Sequence, residues 1–313
     1  MKRALLALAA GAACEMMFSQ AAHGQTSTWT TTSGTSNWST PGNWVGGVPT
    51  SGATTVVDFF DPANTLGPAG GTTVEGDVDA GLSADPFNLE QLNLNGTTTG
   101  SGTGTVTIGG ANELEFTGTA AQINMNALYG AGAGTTYNIT DAINFNSATT
   151  ITFASTSGGN LNFNDELDGA GTITIADNTY GAGGADRPVV FNGSATATST
   201  YTGNVNVSSG VLQLGNTANI LGTNTGGTQT VTVSSGASVV FASGDAAAAE
   251  PQNFVLNGAG TGVVANGLLG TGADSALDVD NIAFGNASIG ALNIATASTV
   301  RVDYNATNGT SNL

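Results

Sequence analysis

The chain has 313 residues, 22 of them Asp or Glu and only four Lys or Arg, which gives a formal charge of −18 with one Cys and one His. Charged side chains are 8 % of the total, against roughly a quarter in an average domain. A nucleic-acid surface needs clustered cations to displace counterions from phosphates and is excluded; anionic lipid and acidic polysaccharide partners are disfavoured by the same negative surface.

In chain order, the first element reads as a signal peptide over residues 1–24. Lys2 and Arg3 form a positive n-region, Ala4 to Ala13 an apolar h-region, and Ala22 and Gly24 offer a small-residue cleavage site before Gln25. The apolar run is shorter than the ~20 residues that span a bilayer. Lipoprotein processing at Cys14 is the alternative, but Gly11-Ala12-Ala13 lacks a large aliphatic residue ahead of the Cys. Cleavage before Gln25 leaves 289 residues with a charge of −19, no Cys, no His and no Lys, and Arg187 and Arg301 as the only cations. Disulfides, zinc sites and nucleophile–imidazole catalysis are thereby excluded from the mature chain. Backbone pairing and core packing must hold the fold.

Residues 25–95 read as an N-terminal cap and an irregular connection. Trp29, Trp38 and Trp44 all fall here, among the turn signals Pro41-Gly42-Asn43 and Val48-Pro49-Thr50. Two uses are open for the three rings: covering the open end of a rod, or forming an exposed platform on which sugars stack. Asp58 to Leu94 reads as the irregular, more acidic stretch. Within it Glu75, Asp77 and Asp79 alternate ahead of Gly81 and would face one way on a short strand. They are weak candidate ligands for calcium, the one cofactor the sequence raises.

Residues 96–313 read as a repeat region. Short apolar/polar/apolar triplets recur between Gly, Asn, Ser and Thr: Val106-Thr107-Ile108, Leu114-Glu115-Phe116, Ile123-Asn124-Met125, Ile151-Thr152-Phe153, Leu161-Asn162-Phe163 and Ile173-Thr174-Ile175. Later triplets are centred on Asn206, Thr232, Asp278 and Arg301. A period of two predicts short strands with one buried face. Val205-Asn206-Val207-Ser208-Ser209-Gly210 repeats 26 residues on as Val231-Thr232-Val233-Ser234-Ser235-Gly236, each copy leading through a turn into a second apolar strand, Val211–Leu214 or Ser238–Phe241. Repeats of this length mean stacked units that bury no core alone. The fold class is therefore all-β, a right-handed parallel β-helix. Ala246 to Ala249 reads as a loop, and Gly258 to Gly262 and Gly270 to Asp274 as turn glycines. Asp165-Glu166-Leu167-Asp168 is the best acidic cluster, in which Asp165 and Asp168 either pair as acids or hold their own turn amides.

The segment from Tyr201-Thr202-Gly203 through Val205-Asn206-Val207 to Val211-Leu212-Gln213-Leu214-Gly215 resembles the autotransporter-associated β-strand repeat, also called the passenger-associated transport repeat. The stretches Ile151–Phe153, Gly158–Phe163 and Gly169–Ile175, and the opening from Asn37-Trp38 to Val48-Pro49, are similar to other parts of such proteins. The resemblance implies an exported passenger β-helix at or beyond the outer membrane of a Gram-negative-type cell, with structural or adhesive work and no catalysis. Such proteins end in a membrane barrel. The residues after Val302 are too few for the smallest, which takes eight strands of about 10 residues, so direct membrane insertion is not expected. The expected function is an exported, cell-surface, extracellular or periplasmic structural or adhesive module, with carbohydrate or a cell-surface protein as partner. The alternatives are a β-helical carbohydrate-active enzyme using paired carboxylates, or a fragment of a longer autotransporter.

Overall fold

The computed structural model describes residues 24–82, 84–98, 103–127, 134–154, 160–177, 188–194, 198–215, 218–241, 249–260, 276–279, 288–294, 298 and 300–302. Apart from Gly24 and Ala249, the expected signal peptide over residues 1–24 and the Ala246–Ala249 run lie outside the described residues, as does Gly270–Asp274.

The first strands are Thr26–Trp29 (β1), Gly34–Asn37 (β2), Trp44–Val45 (β3), Val56–Phe59 (β4), Thr73–Val78 (β5), Phe87–Leu89 (β6) and Gln91–Leu94 (β7). There follow Gly104–Gly110 (β8), Leu114–Phe116 (β9), Ala121–Met125 (β10), Thr135–Ile139 (β11), Ile143–Phe145 (β12), Thr149–Phe153 (β13), Asn160–Phe163 (β14) and Leu167–Asp168 (β15). Next come Ile173–Asp177 (β16), Val189–Phe191 (β17), Val205–Leu214 (β18), Thr230–Ser234 (β19), Ala237–Phe241 (β20) and Ala249–Glu250 (β21). The last are Asn253–Asn257 (β22), Leu277–Val279 (β23), Ser288–Ile289 (β24), Leu292–Ile294 (β25) and Val300–Val302 (β26).

These strands stack in parallel columns. The first column runs β1, β4, β7, β10, β13, β16, the start of β18, β19, β22 and β25. The second runs β2, β5, β8, β11, β14, β17, the end of β18, β20, β23 and β26. The third holds β6, β9, β12 and β15, with β21 paired to β24 further along. The molecule is therefore an all-β parallel β-helix.

Alternation of apolar and polar residues produces this arrangement, because successive side chains in a strand point to opposite faces. Val57, Leu92, Ile123, Ile151, Ile175, Val207, Val233 and Leu256 follow one another in register down the first column, all fully buried. Ile108, Ile139, Phe163, Phe191, Leu214 and Phe241 do the same in the second. Ring contacts run along the stack, with Phe116 on Phe145 at 5.7 Å and Phe163 against Phe191 at 4.9 Å. Coil length varies from 23 residues (Thr230 to Asn253) to 40 (Gly34 to Val74). Loops absorb the difference while the strands stay in register, apart from a one-residue shift between Ile175 and Ala176 where β16 meets β18.

The repeat with a 26-residue offset is a stacked pair: Val205, Asn206 and Val207 lie on Val231, Thr232 and Val233. Val211 to Leu214 lie on Ser238 to Phe241. The turn expected at Ser208–Gly210 is corrected, because β18 runs unbroken from Val205 to Leu214 and serves both columns. Its bend is at Gly210, where φ is +80° and a Cβ would collide with Asp177; glycine alone takes that conformation without strain.

The irregular connection expected from Asp58 to Leu94 is also corrected. β4 to β7 occupy the same columns as the later strands, so the coils begin inside the segment read as cap and connection. At the start of the stack β3 lies antiparallel along the edge of β1 that β4 leaves free, which covers an otherwise unpaired strand edge. Trp29, Trp38 and Trp44 are buried, at 0, 0 and 7 % exposure. They meet edge-to-face at 5.0 and 5.4 Å, and Trp38 packs on Phe87 at 5.5 Å. The exposed sugar platform is thereby overturned, since no indole face is open to a ligand.

Beyond β15 the third side changes character. Tyr201, 1 % exposed, lies over Leu167 through a backbone bond, and its hydroxyl contacts the Gly171 and Asn204 carbonyls at 2.7 and 2.8 Å. Further along, Gln229 and Gln252 bond the carbonyls of Tyr201, Leu221 and Gly222, and both Glu250 oxygens accept from the Ile220 and Leu221 amides. Buried side chains there do for the loops what strand pairing does elsewhere.

Truncating a stacked core residue should cost far more than truncating its outward neighbour. Ile151→Ala is expected to lower unfolding free energy by about 2–5 kcal/mol and Thr150→Ala by no more than about 0.5, as read by denaturant titration. Equal losses would contradict the assigned faces.

Candidate functional site: an acidic cleft at a stacked corner

Among the described residues, the corner between the second and third columns brings Asp85, Glu113, Asp141, Asp165, Glu166 and Asp168 to one cleft. Phe87, Leu114, Ile143 and Leu167 are stacked in register. The residues two positions earlier, Asp85, Asn112, Asp141 and Asp165, lie in the bends that lead into these strands. Glu113 and Glu166 occupy the intervening position, and Asp168 follows on β15. Together they line a cleft of about 370 Å³ with Gly110, Ala111, Thr140 and Ala142.

Local bonds fix most of this corner. Asn112 ties down the preceding turn through the Asp79 and Ala84 carbonyls at 3.0 and 3.1 Å, and the Glu113 amide donates to Asp85 at 3.2 Å. Gly109 precedes the corner, and a Cβ there would collide with the Thr140 hydroxyl. Asp141 is 7 % exposed, and its Oδ2 has no hydrogen-bond partner. Burial pushes its carboxyl up to about 7 against the pull of the Gly110 amide, with the charges of Asp165 and Asp77 adding to the rise. Burial and the charges of Asp168, Glu115 and Asp85 likewise raise Glu113, opposed by a bond from Asn144. Glu166 is raised by burial and by Asp168 and Asp165. Stacked like charges with little solvent have this effect generally.

The sequence-stated pair Asp165 and Asp168 is thus brought to one cleft, but each is already engaged. Asp165 Oδ1 accepts from the Glu166 amide at 2.9 Å, and Asp168 Oδ1 accepts from the Thr200 amide at 3.0 Å and from its hydroxyl. Asp165 thus holds its own turn amide, whereas Asp168 holds Thr200, 32 residues further along the chain.

The calcium candidates occupy the outer face of β5 and its end, as their alternation implied, but they do not converge. Glu75 accepts from the Thr35 hydroxyl at 2.7 Å, while Asp79 accepts from the Ser39 amide and hydroxyl at 2.9 and 2.6 Å and from the Gly81 amide at 3.0 Å. Burial pushes Asp79 upward, yet these bonds outweigh it and hold its carboxyl below the usual range. Asp77 is raised by burial and by both neighbours. Among the described residues no three Asp, Glu, His or Cys side chains form a group able to hold a metal ion. Glu75, Asp77 and Asp79 form no such group.

Sequence reasoning did not single out Asp141, Glu113 or Glu250. Asp141-Ala142-Ile143 does carry the same acid-before-apolar pattern as Asp165-Glu166-Leu167, and stacking the two strands would have exposed it. Glu250 carries no local signal, because its partners lie about 30 residues earlier. Burial pushes it up to about 8 although two amides favour its charged form.

No protein-family model matches the chain, and neither a curated protein nor a solved structure is matched by it.

Asp141 and Glu250 have folded-state values above their unfolded ones of about 3.9 and 4.3. Their contribution to stability is complete below those unfolded values and is lost as pH rises through about 7 and 8 respectively. The melting temperature should therefore fall by about 5 °C or more between acidic and alkaline buffer. Asp141→Asn, which removes one of the two groups, should shrink that fall. A melting temperature that rises with pH, or an unchanged fall in the variant, would contradict the assignment.

Proposed function

We propose that this chain is an exported, non-catalytic β-helical rod that works at or beyond the cell surface as a structural or adhesive module. The observation that carries the reading is the single in-register stack, whose apolar core runs without a break from Trp29 to Leu277. Backbone pairing and core packing hold such a stack, and residues 25–313 contain no Cys or His for a disulfide or a zinc site. An apolar interior beneath an Asn- and Thr-rich surface is the composition of a spacer. The resemblance of Tyr201–Gly215 to the autotransporter-associated repeat supports the same reading. In that segment the Tyr is buried and the strand bridges two columns.

A paired-carboxylate hydrolase has one observation in its favour, the buried Asp141 carboxyl, which keeps its proton near neutrality as a general acid would. The engagement of Asp165 and Asp168 with backbone amides weighs against it, as does the burial of every tryptophan.

Expression of the full chain in a Gram-negative host tests the proposal. The exported product is expected to begin at Gln25, to be labelled by antibody on intact cells or found in the medium, and to release no reducing ends from polysaccharides. Retention in the cytoplasm with Met1 intact, or hydrolysis abolished by Asp141→Asn, would overturn it.

A further inference from the structure

The outer face of the first column differs from the acidic corner. Asp58, Asn93, Asn124 and Thr152 succeed one another in register, and their side chains form a directional chain of hydrogen bonds. Asn93 Nδ2 donates to Asp58 Oδ1 at 2.6 Å, Asn124 Nδ2 to Asn93 Oδ1 at 2.8 Å, and Thr152 Oγ1 to Asn124 Oδ1 at 2.6 Å. A second chain lies two residues along each strand, about 6.6 Å away. There Asn126 Nδ2 donates to Asn95 Oδ1 at 3.1 Å, and Asn95 Nδ2 to the Phe60 carbonyl at 3.2 Å. On the other side Val56, Gln91, Gln122, Thr150 and Thr174 form a third row.

A groove of about 330 Å³ is lined by Asp58, Gln91, Asn93, Asn95 and Asn126, with Pro62 among the other lining residues. Its one carboxylate, Asp58, is 5 % exposed and tied to Asn93. Burial raises the Asp58 carboxyl above the ordinary range, the Asn93 bond opposing it. Within a molecule of charge −18, this face therefore presents planar amides and hydroxyls with little charge. The ladder bonds leave capacity at Asn93: an Asn amide has two N–H donors and two acceptor lone pairs, and Asn93 gives one N–H to Asp58 and accepts one bond from Asn124, whereas Asn124 gives its N–H groups to Asn93 and to Gln122 Oε1 at 3.3 Å and keeps a lone pair beside the Thr152 bond. Rotamers locked by the ladder are already ordered, so a ligand does not have to order them.

We infer that this face, the groove at Asp58 and Asn93 together with the ladder that continues beyond it through Asn124 to Thr152, binds a neutral, hydroxyl-rich glycan chain lying along the rod axis. Sugar hydroxyls both donate and accept, which matches Asn93, with one N–H and one lone pair to offer, and Asn124, with one lone pair. The coil spacing of ~4.8 Å repeats that offer on the scale of a sugar ring. Anionic glycans are repelled by the surrounding charge, and cationic ones would favour the acidic corner instead. The inference rests on the adhesive reading and names its ligand.

The test uses residues 25–313 passed over immobilised neutral glucan, mannan, xylan and galactan. At least one is expected to retain the protein, unchanged between roughly 0.05 and 0.5 M salt because no charge pair is involved. Asn93→Ala with Asn124→Ala should weaken retention about tenfold, the loss of roughly two hydrogen bonds. The control pair Asn138→Ala with Asn162→Ala removes an equivalent amide bond from the second column (2.8 Å) and should leave retention intact, with circular dichroism verifying the fold of both. Retention on none of the four, equal loss in the control, or loss with salt would overturn the inference. Export and surface labelling are read without either ladder, so failure of the glycan inference leaves the rod reading standing and is distinguishable from failure of that reading.

Discussion

Parallel backbone pairing between successive coils is the constraint on which everything else in this molecule depends. Once adjacent strands lie about 4.8 Å apart in register, each side chain has as its neighbour the residue one coil away, at a distance set by the backbone. Val207 must meet Val233, and Phe163 must meet Phe191. A coil alone has no core; stacking is what removes its inward face from water. Loops of very different length are tolerated because they do not alter that distance.

The same constraint sorts the polar residues. An amide is donor and acceptor at once, so Asn stacks on Asn with a bond between them, as at Asn93 and Asn124 or Asn138 and Asn162. A carboxylate only accepts, so Asp stacked near Asp can bond only by keeping a proton or by recruiting a backbone amide. At the acidic corner Asp165 has turned to the Glu166 amide, while Asp141, raised to about 7, leaves Oδ2 without a partner. A charge content of 8 % beside abundant Asn and Thr follows from this asymmetry. The amide face and the acidic corner are two consequences of one geometry.

Much of the fold was legible because the strand period is written locally. Every apolar triplet marked in the sequence lies in a strand, and the 26-residue repeat marks residues that sit on one another. The strands from Val56 to Leu94 were less visible. In β5, Gly76 stands at an inward position where an apolar side chain is expected, because the Trp38 and Phe59 rings already fill that space. The acidic cleft was half legible: Asp165 to Asp168 is contiguous in sequence, whereas Asp85, Glu113 and Asp141 join it only through stacking across coils of unequal length. Gln229, Glu250 and Gln252 were invisible for the same reason, since what they satisfy is backbone roughly 30 residues away.

Register is the central claim, and paired cysteines measure it most directly, because residues 25–313 contain none of their own. Asn206 and Thr232 face each other on adjacent coils, at about 4.8 Å and so within disulfide reach. Thr230, two residues off on the same face, is about 8 Å from Asn206 and beyond it. Oxidation is expected to close the Asn206→Cys/Thr232→Cys pair and to leave Asn206→Cys/Thr230→Cys as free thiols. Closure of the shifted pair, or of neither, would contradict the stack.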